Sequence, residues 1–375
     1  MSTISRHTAL HAAHEALGAS FTDFGGWDMP LRYGSELAEH KAVRSAAGLF
    51  DLSHMGEVRV SGPDAARFLN TALAGNLGIV KVGKAKYSLI LDENAGIIDD
   101  LISYRLAEDE YLVVPNAGNA PTVFAALQER AAGFDVTVVN ESDTTSLVAV
   151  QGPVSEAILL SQAPAEQHAT ITEMPYYAAA PVTIAGIDIL LARTGYTGED
   201  GFELYVSNEQ APALWDALLA AGEDHGLIPA GLASRDSLRL EAGMPLYGNE
   251  LSLDITPLEA GLGPVVSLKK EEDFVGRAAF EAAKAEGRGA TSGRRLVGLK
   301  GLGRRAARGG YPVLKDGVVI GEVTSGQPSP TLGYPVALAM VDVEHSELGT
   351  ALDADLRGKA EPFEVVALPF YSRQK

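Results

Sequence analysis

Four times in its first two thirds, the chain runs from a strand-like stretch through a turn rich in Gly, Pro or Asn into a helix-like one. The two clearest cases are residues 57–70 (EVRVSGPDAARFLN) and 147–160 (LVAVQGPVSEAILL), each with a Gly-Pro step in the middle. Residues 111–130 (YLVVPNAGNAPTVFAALQER) and 203–220 (ELYVSNEQAPALWDALLA) repeat the pattern. Val-rich alternation reads as strand and the later Ala/Leu spacing as helix, and a proline near the start of the second element suits a first helical turn. The DENAG link between residues 87–91 and 97–106 is too short for a crossover, so that pair is antiparallel. The expectation is an α+β fold of mostly antiparallel sheets with flanking helices, not a doubly wound one.

From about residue 294 the character changes to short strands separated by turns: RRLVGL, YPVLKDGVVIGEVTSG, VALAMVDV and PFEVVALPF. The Lys-Asp-Gly step at Lys315, Asp316 and Gly317 is a hairpin signal. An all-β module is expected here, reached through a helix within residues 273–287.

At 375 residues the chain exceeds one ordinary core and suits two or three domains. No apolar run approaches the roughly 20 residues of a membrane span, and the start lacks the apolar centre of a signal peptide. A cytoplasmic location is therefore expected, with no membrane partner. There is no cysteine, so disulfides, thiolate metal sites and cysteine nucleophiles are excluded, and any sulfur chemistry arrives on a substrate. A formal charge of −19 argues against nucleic acid as a partner. Eight cations and no acid lie between Arg288 and Lys315. That stretch is either a landing strip for an anionic ligand or acidic protein, or a solvated basic loop.

The most informative segment is residues 97–106, IIDDLISYRL. A period of two puts Ile98, Asp100, Ile102, Tyr104 and Leu106 in one row and Ile97, Asp99, Leu101, Ser103 and Arg105 in the other. Asp100 thus falls in a mostly apolar row, where a carboxylate finds donors or shifts its pKa, as an acid-base or charge-stabilising group does. A buried carboxylate capping a turn is the plainer alternative. Asp99, in a row with Ser103 and Arg105, reads as the solvated or structurally paired member.

Residues 193–204, RTGYTGEDGFEL, hold three glycines that serve either a close ligand approach or a plain hairpin. Glu203 opens the next strand, where its carboxylate could accept from the N–H groups of a heterocycle. In residues 231–248 (GLASRDSLRLEAGMPLYG) a helix carries Arg235 and Arg239 four apart, with Asp236 and Glu241 nearby. An arginine held by acids can offer its fork to a carboxylate ligand, and surface ion pairing explains the same pattern. His7, His11 and His14 read as an ordinary helix face, and no metal is expected. GLGRRA at 301–306 fits Gly-x-Gly-x-x-Ala, but the following ARGGYP cannot continue a helix, which excludes a dinucleotide fingerprint.

Several segments, in order, resemble the aminomethyltransferase (T protein) family of the glycine cleavage system. They are DFGGWDMPLRYGS, GLFDLSHMGEV, KAKYSLIL, GIIDDLI, VAVQGP, RTGYTGEDGFEL, GLASRDSLRLEAGMPLYG and VTSGQPSPTLGYPVALAMV, with PFYSR near the end. The resemblance implies a three-domain cloverleaf around a central hole that holds folate. Residues 1–53 with 141–285 would form a discontinuous first domain, 54–140 a folate-binding second, and 286–375 a C-terminal β-barrel. It further implies folate contacts at Met55, Tyr87, Asp100, Tyr104, Asn116, Tyr176, Tyr196, Glu203, Arg235 and Tyr371. Asp100 would be the catalytic group near the reacting folate nitrogen.

The implied reaction moves a methylene carbon from the aminomethyl-lipoyl arm of the H protein to tetrahydrofolate, releasing ammonia and giving 5,10-methylenetetrahydrofolate. Alternatives on the same fold are a folate-dependent demethylase of a small methylated compound and a non-catalytic folate-binding assembly factor. Relatives of the latter carry a cysteine motif that this chain lacks. The sequence departs from the family at Pro264, where a tryptophan is usual, and at Pro115, where a small aliphatic residue is usual.

Overall fold

The computed structural model describes residues 5–373. It is an α+β structure with two larger open sheets, a two-stranded ribbon and a closed six-stranded barrel. The six-stranded open sheet runs, in spatial order, Ala179–Ile184, Ile187–Ala192, Gly201–Ser207, Thr145–Gln151, Ala47–Asp51 and Leu227–Pro229. Only the last pair is parallel. The five-stranded sheet runs Lys84–Leu91, Ile97–Ala107, Glu110–Val114, Val58–Ser61 and Thr137–Asn140.

Each of the four strand-to-helix units forms as its residues dictate: helices Ala65–Ala72, Ser155–Gln162 and Ala211–Gly222 follow their strands directly, and Ala120–Arg130 follows its strand through the short helix Ala117–Asn119. The two Gly-Pro steps share a physical reason. Gly62 sits at φ +133° and Gly152 at φ +138°, and an added Cβ would lie 2.4 Å from the Asp135 carbonyl oxygen or 2.3 Å from that of Ala46. Only glycine tolerates both that backbone region and that approach. Helix Ala211–Gly222 carries proline in its first turn and buries Leu214, Trp215 and Leu218, the spacing of one helical face. They join Val148, Val150, Phe202 and Leu204 in a core whose large side chains are worth about 1.5–3 kcal/mol each on burial.

The barrel closes in the order Arg294–Gly301, Pro335–Asp342, Val318–Pro328, Pro312–Lys315, Ala351–Asp355 and Ala360–Val366. The two-residue turn at Asp316 (φ +52°) and Gly317 (φ +80°) makes the expected hairpin. The preceding helix is Arg277–Ala285. Cations of the basic stretch are spread over this region and largely engaged: Arg288 pairs with Glu259, Arg305 with Glu361, and Lys300 lies over the Tyr334 ring.

By compactness the chain divides into one unit of residues 1–68, 77–86 and 101–236 and another of 69–76, 87–100 and 237–375. No helix among the described residues is long and apolar enough to cross a membrane.

The three N-terminal histidines do not share a face. Helix His11–Ala16 leaves His7 outside it, and His14 turns inward, where Nε2 lies 2.8 Å from Asp51 Oδ2 and Nδ1 2.8 Å from the Tyr33 hydroxyl. His7, His11 and Asp28 do gather, their ligand atoms within 4.8 Å of one another.

Candidate active site

In the first unit the RTGYTGEDG loop is clamped onto Gln151. The Gln151 amide N–H donates to the Thr194 carbonyl at 3.0 Å, and the Thr197 hydroxyl donates to Gln151 Oε1 at 2.9 Å. A Cβ on Gly195 would fall 2.0 Å from Gln151 Oε1, so a side chain there would have to displace the Gln151 amide that clamps the loop. Arg44 donates to the Thr197 carbonyl and pairs with Glu199, fixing the far side of the loop.

This clamp sets Thr194 beside Glu203 on the neighbouring strand. Glu203 Oε2 accepts from the Thr194 hydroxyl at 2.5 Å and from the Tyr104 hydroxyl at 3.3 Å. Both bonds fall on one oxygen, and Oε1 makes no hydrogen bond among the described residues. Burial raises the Glu203 pKa above its ordinary value, against the lowering pull of Thr194, Arg235 and Tyr104. The Arg235 guanidinium lies 4.6 Å over the Tyr196 ring, a cation–π contact. Tyr196, Glu203 and Arg235 line one small cavity together with Phe50 and Leu52. The structure thus brings together Tyr104, Tyr196, Glu203 and Arg235.

Met55, Asn116 and Tyr176 belong to the same unit. Met55 is partly exposed and closes a turn onto the Leu52 carbonyl. Asn116 precedes the short helix Ala117–Asn119. Tyr176 is 46 % exposed and packs edge-on against Tyr177.

In the second unit, the Tyr87 hydroxyl donates to Asp100 Oδ2 at 2.9 Å. The two-row partition of strand Ile97–Ala107 holds from Ile97 to Ser103 and breaks at Tyr104, which is buried although it shares the Asp100 row, and within Ile97–Ser103 the burial is the reverse of the sequence expectation. Ile97, Asp99, Leu101 and Ser103 are buried, whereas Ile98, Asp100 and Ile102 are partly exposed. Asp99 is therefore not the solvated carboxylate. Ile97 packs with Leu91, Phe274 and Phe280, which draws its row inward as far as Ser103. Both rows are apolar enough to be buried, and periodicity alone does not say which one meets the core. A half-exposed apolar row holding one carboxylate is what a ligand-facing wall requires. Tyr371 donates its backbone N–H to the Glu241 carbonyl. The Glu241 side chain accepts from the Ser329 hydroxyl at 2.5 Å and from the Thr331 N–H and hydroxyl at 3.0 and 2.7 Å.

Arg235 and Arg239 have separate fates, although they share a helix. Arg239 is 1 % exposed and pairs with Glu250 at 3.0 Å while donating to the Ser325 hydroxyl at 2.7 Å, so it is a structural cation. Two residues escaped the sequence reading. Thr194 orients Glu203, and its only signal was its place in the Gly-rich loop. His54 is 1 % exposed with no hydrogen-bond partner for either ring nitrogen among the described residues, and packs edge-on to Phe24. Burial, then the Arg235 charge, lowers its pKa to about 3, with Asp51 opposing. The only hint was its position beside Met55 in the SHMG motif.

The GCVT N-terminal domain matches residues 10–270, and the glycine cleavage T-protein C-terminal barrel domain matches residues 294–372. The chain belongs to the glycine cleavage T-protein family. An aminomethyltransferase of Streptomyces coelicolor is 60 % identical over 375 residues, covering 100 % of both chains. One of Bacillus subtilis is 44 % identical over 368 residues, covering 98 % of this chain and 99 % of the relative. The crystal structure of glycine cleavage system aminomethyltransferase T from Bartonella henselae superimposes with a TM-score of 0.89 at 39 % identity, covering 98 % of each chain. Likeness over the whole length makes this family member an enzyme, an aminomethyltransferase of the glycine cleavage system.

Proposed function

We propose that the enzyme transfers the methylene carbon of the aminomethyl-lipoyl arm of an H protein to tetrahydrofolate, with release of ammonia. The observation that carries this reading is the Glu203 carboxylate, which is held through one oxygen by Thr194 and Tyr104 while the other makes no hydrogen bond among the described residues. That fits the paired N–H donors of a reduced pterin. Bound tetrahydrofolate supplies the nucleophilic nitrogen that takes up the carbon. Tyr196 offers a ring face, with Arg235 on it, as a stacking wall and a counter-charge. Tyr371 and the partly exposed Met55, Asn116 and Tyr176 are further folate contacts.

Asp100 is the proposed catalytic group. Its carboxylate, steadied by Tyr87, stabilises the positive charge that develops as ammonia leaves and orients the attacking nitrogen. We further propose the three-part division into residues 1–53 with 141–285, 54–140 and 286–375, and a cytoplasmic setting shared with the H protein.

The test mixes the enzyme with aminomethylated H protein and tetrahydrofolate and follows ammonia and 5,10-methylenetetrahydrofolate. Both should appear together, and ammonia release should require both partners. No stimulation above the uncatalysed background refutes the reading.

A further inference from the structure

One cluster of ligand-type side chains in the first unit takes no part in the folate reading. His7, His11 and Asp28 each bring a ligand atom to within 4.8 Å of the others. Local structure puts them there. The Asp28 N–H donates to the Arg6 carbonyl at 2.8 Å and the Arg6 N–H to the Gly26 carbonyl at 2.9 Å, which sets His7 beside strand Trp27–Arg32. His11 opens helix His11–Ala16, and its ring stacks on that of His7 at 3.7 Å and 11° while meeting Phe21 at 4.7 Å. In the two-stranded ribbon Asp28 lies directly opposite Asp23, and a period of two places Phe21, Asp23 and Asp28 on one face.

None of the three side chains is spent on a hydrogen bond among the described residues. His7 Nε2 lies 3.8 Å from Asp28 Oδ2, and His11 Nε2 lies 3.8 Å from Glu15 Oε1, both too long for hydrogen bonds. His11 Nδ1 is buried with no hydrogen-bond partner among the described residues. His14 shows the contrast: both of its ring nitrogens are bonded at 2.8 Å, as a structural histidine requires. The carboxylates add a second observation. Like charges directly across a ribbon destabilise it, yet among the described residues no Lys or Arg pairs with Asp23 or Asp28, and Asp23 accepts only the Gly26 N–H, at 3.4 Å. Arg6, the neighbour of His7, is bonded to Asp143 and lies 3.9 Å over the Trp27 ring.

We propose that His7, His11 and Asp28 bind one Zn²⁺ ion, with Glu15 or water completing the shell. Two imidazoles and a carboxylate are the mixed N/O donors that zinc takes, whereas Mg²⁺ and Ca²⁺ take oxygen shells. Bonds of about 2.1 Å in a tetrahedron put ligand atoms about 3.4 Å apart, so the cluster must draw in. His7 is exposed and Asp28 only partly buried, which leaves both free to turn, while His11 stays on Phe21. The ion would staple the residues ahead of the first helix, the helix start and the ribbon at one point, and would offset the repulsion between Asp23 and Asp28. The sequence alone offered His7 and His11 with Glu15 and read as a metal-free helix face. The fold adds Asp28, from a strand, as the further ligand. The inference is independent of the folate assignment.

The test is a calorimetric Zn²⁺ titration of the untagged, full-length enzyme after treatment with a chelator. The wild type should bind one equivalent. His11→Gln and Asp28→Asn should each weaken that binding at least about tenfold. His225→Gln, which removes an exposed histidine elsewhere in the same unit, should leave it unchanged. His7→Gln alters an exposed side chain and should also weaken binding at least about tenfold, which keeps the test decisive if His11→Gln fails to fold. Zn²⁺ should raise the melting temperature of the wild type and not that of Asp28→Asn. A wild type without a one-equivalent site overturns the proposal. So does unchanged affinity in Asp28→Asn or His7→Gln, or a loss in His225→Gln as large as theirs.

Discussion

Replacing Asp100 by asparagine changes charge and little else. The Tyr87 hydroxyl donates to Asp100 Oδ2 at 2.9 Å, and the asparagine carbonyl can accept the same bond from the same place. The side chain is only partly exposed, but its neighbours Ile98 and Ile102 share that exposure, so no packed volume is lost. Thermal stability should therefore move by no more than about 0.5 kcal/mol. The rate should respond differently. One well-aimed, preorganised group is worth about 3–4 kcal/mol, so single-turnover transfer from aminomethylated H protein should slow by roughly 100- to 1000-fold. Tetrahydrofolate affinity should stay within about fivefold, because Glu203, not Asp100, is assigned to the pterin N–H edge. Asp99→Asn is the control with the opposite signature. Asp99 is 0 % exposed, so that change should cost about 1–3 kcal/mol of stability while the rate per folded molecule stays within about tenfold. Equal rate losses in the two variants at equal folded fraction would refute the division of labour between the aspartates. So would an Asp100→Asn enzyme within a few-fold of wild type.

Gly195→Ala should shift the Gly-rich loop off Gln151, since its Cβ would lie 2.0 Å from Gln151 Oε1. We expect a loss of about 1–3 kcal/mol in thermal unfolding together with weaker pterin binding, and an unchanged melting temperature would show that the clamp is slack. His54 has its pKa lowered to about 3 from 6.5, by burial first and then by Arg235. The unfolded chain therefore binds a proton that the folded one refuses, and the stabilisation present above pH 6.5 is lost as pH falls towards 3, at up to about 1.4 kcal/mol per unit. His54→Phe should flatten that limb of the stability profile between pH 6.5 and 4, and an identical limb would refute the assignment.

Much of the fold was legible because its signals are local. The paired Gly-Pro steps at Gly62 and Gly152, the Asp316-Gly317 hairpin and the spacing of Leu214, Trp215 and Leu218 each follow from residues a few positions apart. The grouping of Tyr104, Tyr196, Glu203 and Arg235 in one unit was legible only through resemblance, since up to 131 positions of sequence separate Tyr104 from Arg235. Thr194 stayed hidden because an orienting hydroxyl in a Gly-rich loop looks like any turn residue.

By itself the sequence determined where strands turn into helices, where the tail becomes all-β, and which family the chain joins. Those properties reside in periodicity, turn chemistry and motif order. Tertiary structure alone decided which row of Ile97–Ala107 lies inside, that Arg239 is spent on Glu250 while Arg235 lies over Tyr196, and that His54 is buried with neither ring nitrogen partnered among the described residues. Burial and partnership depend on what packs from distant parts of the chain, and no local pattern carries that information.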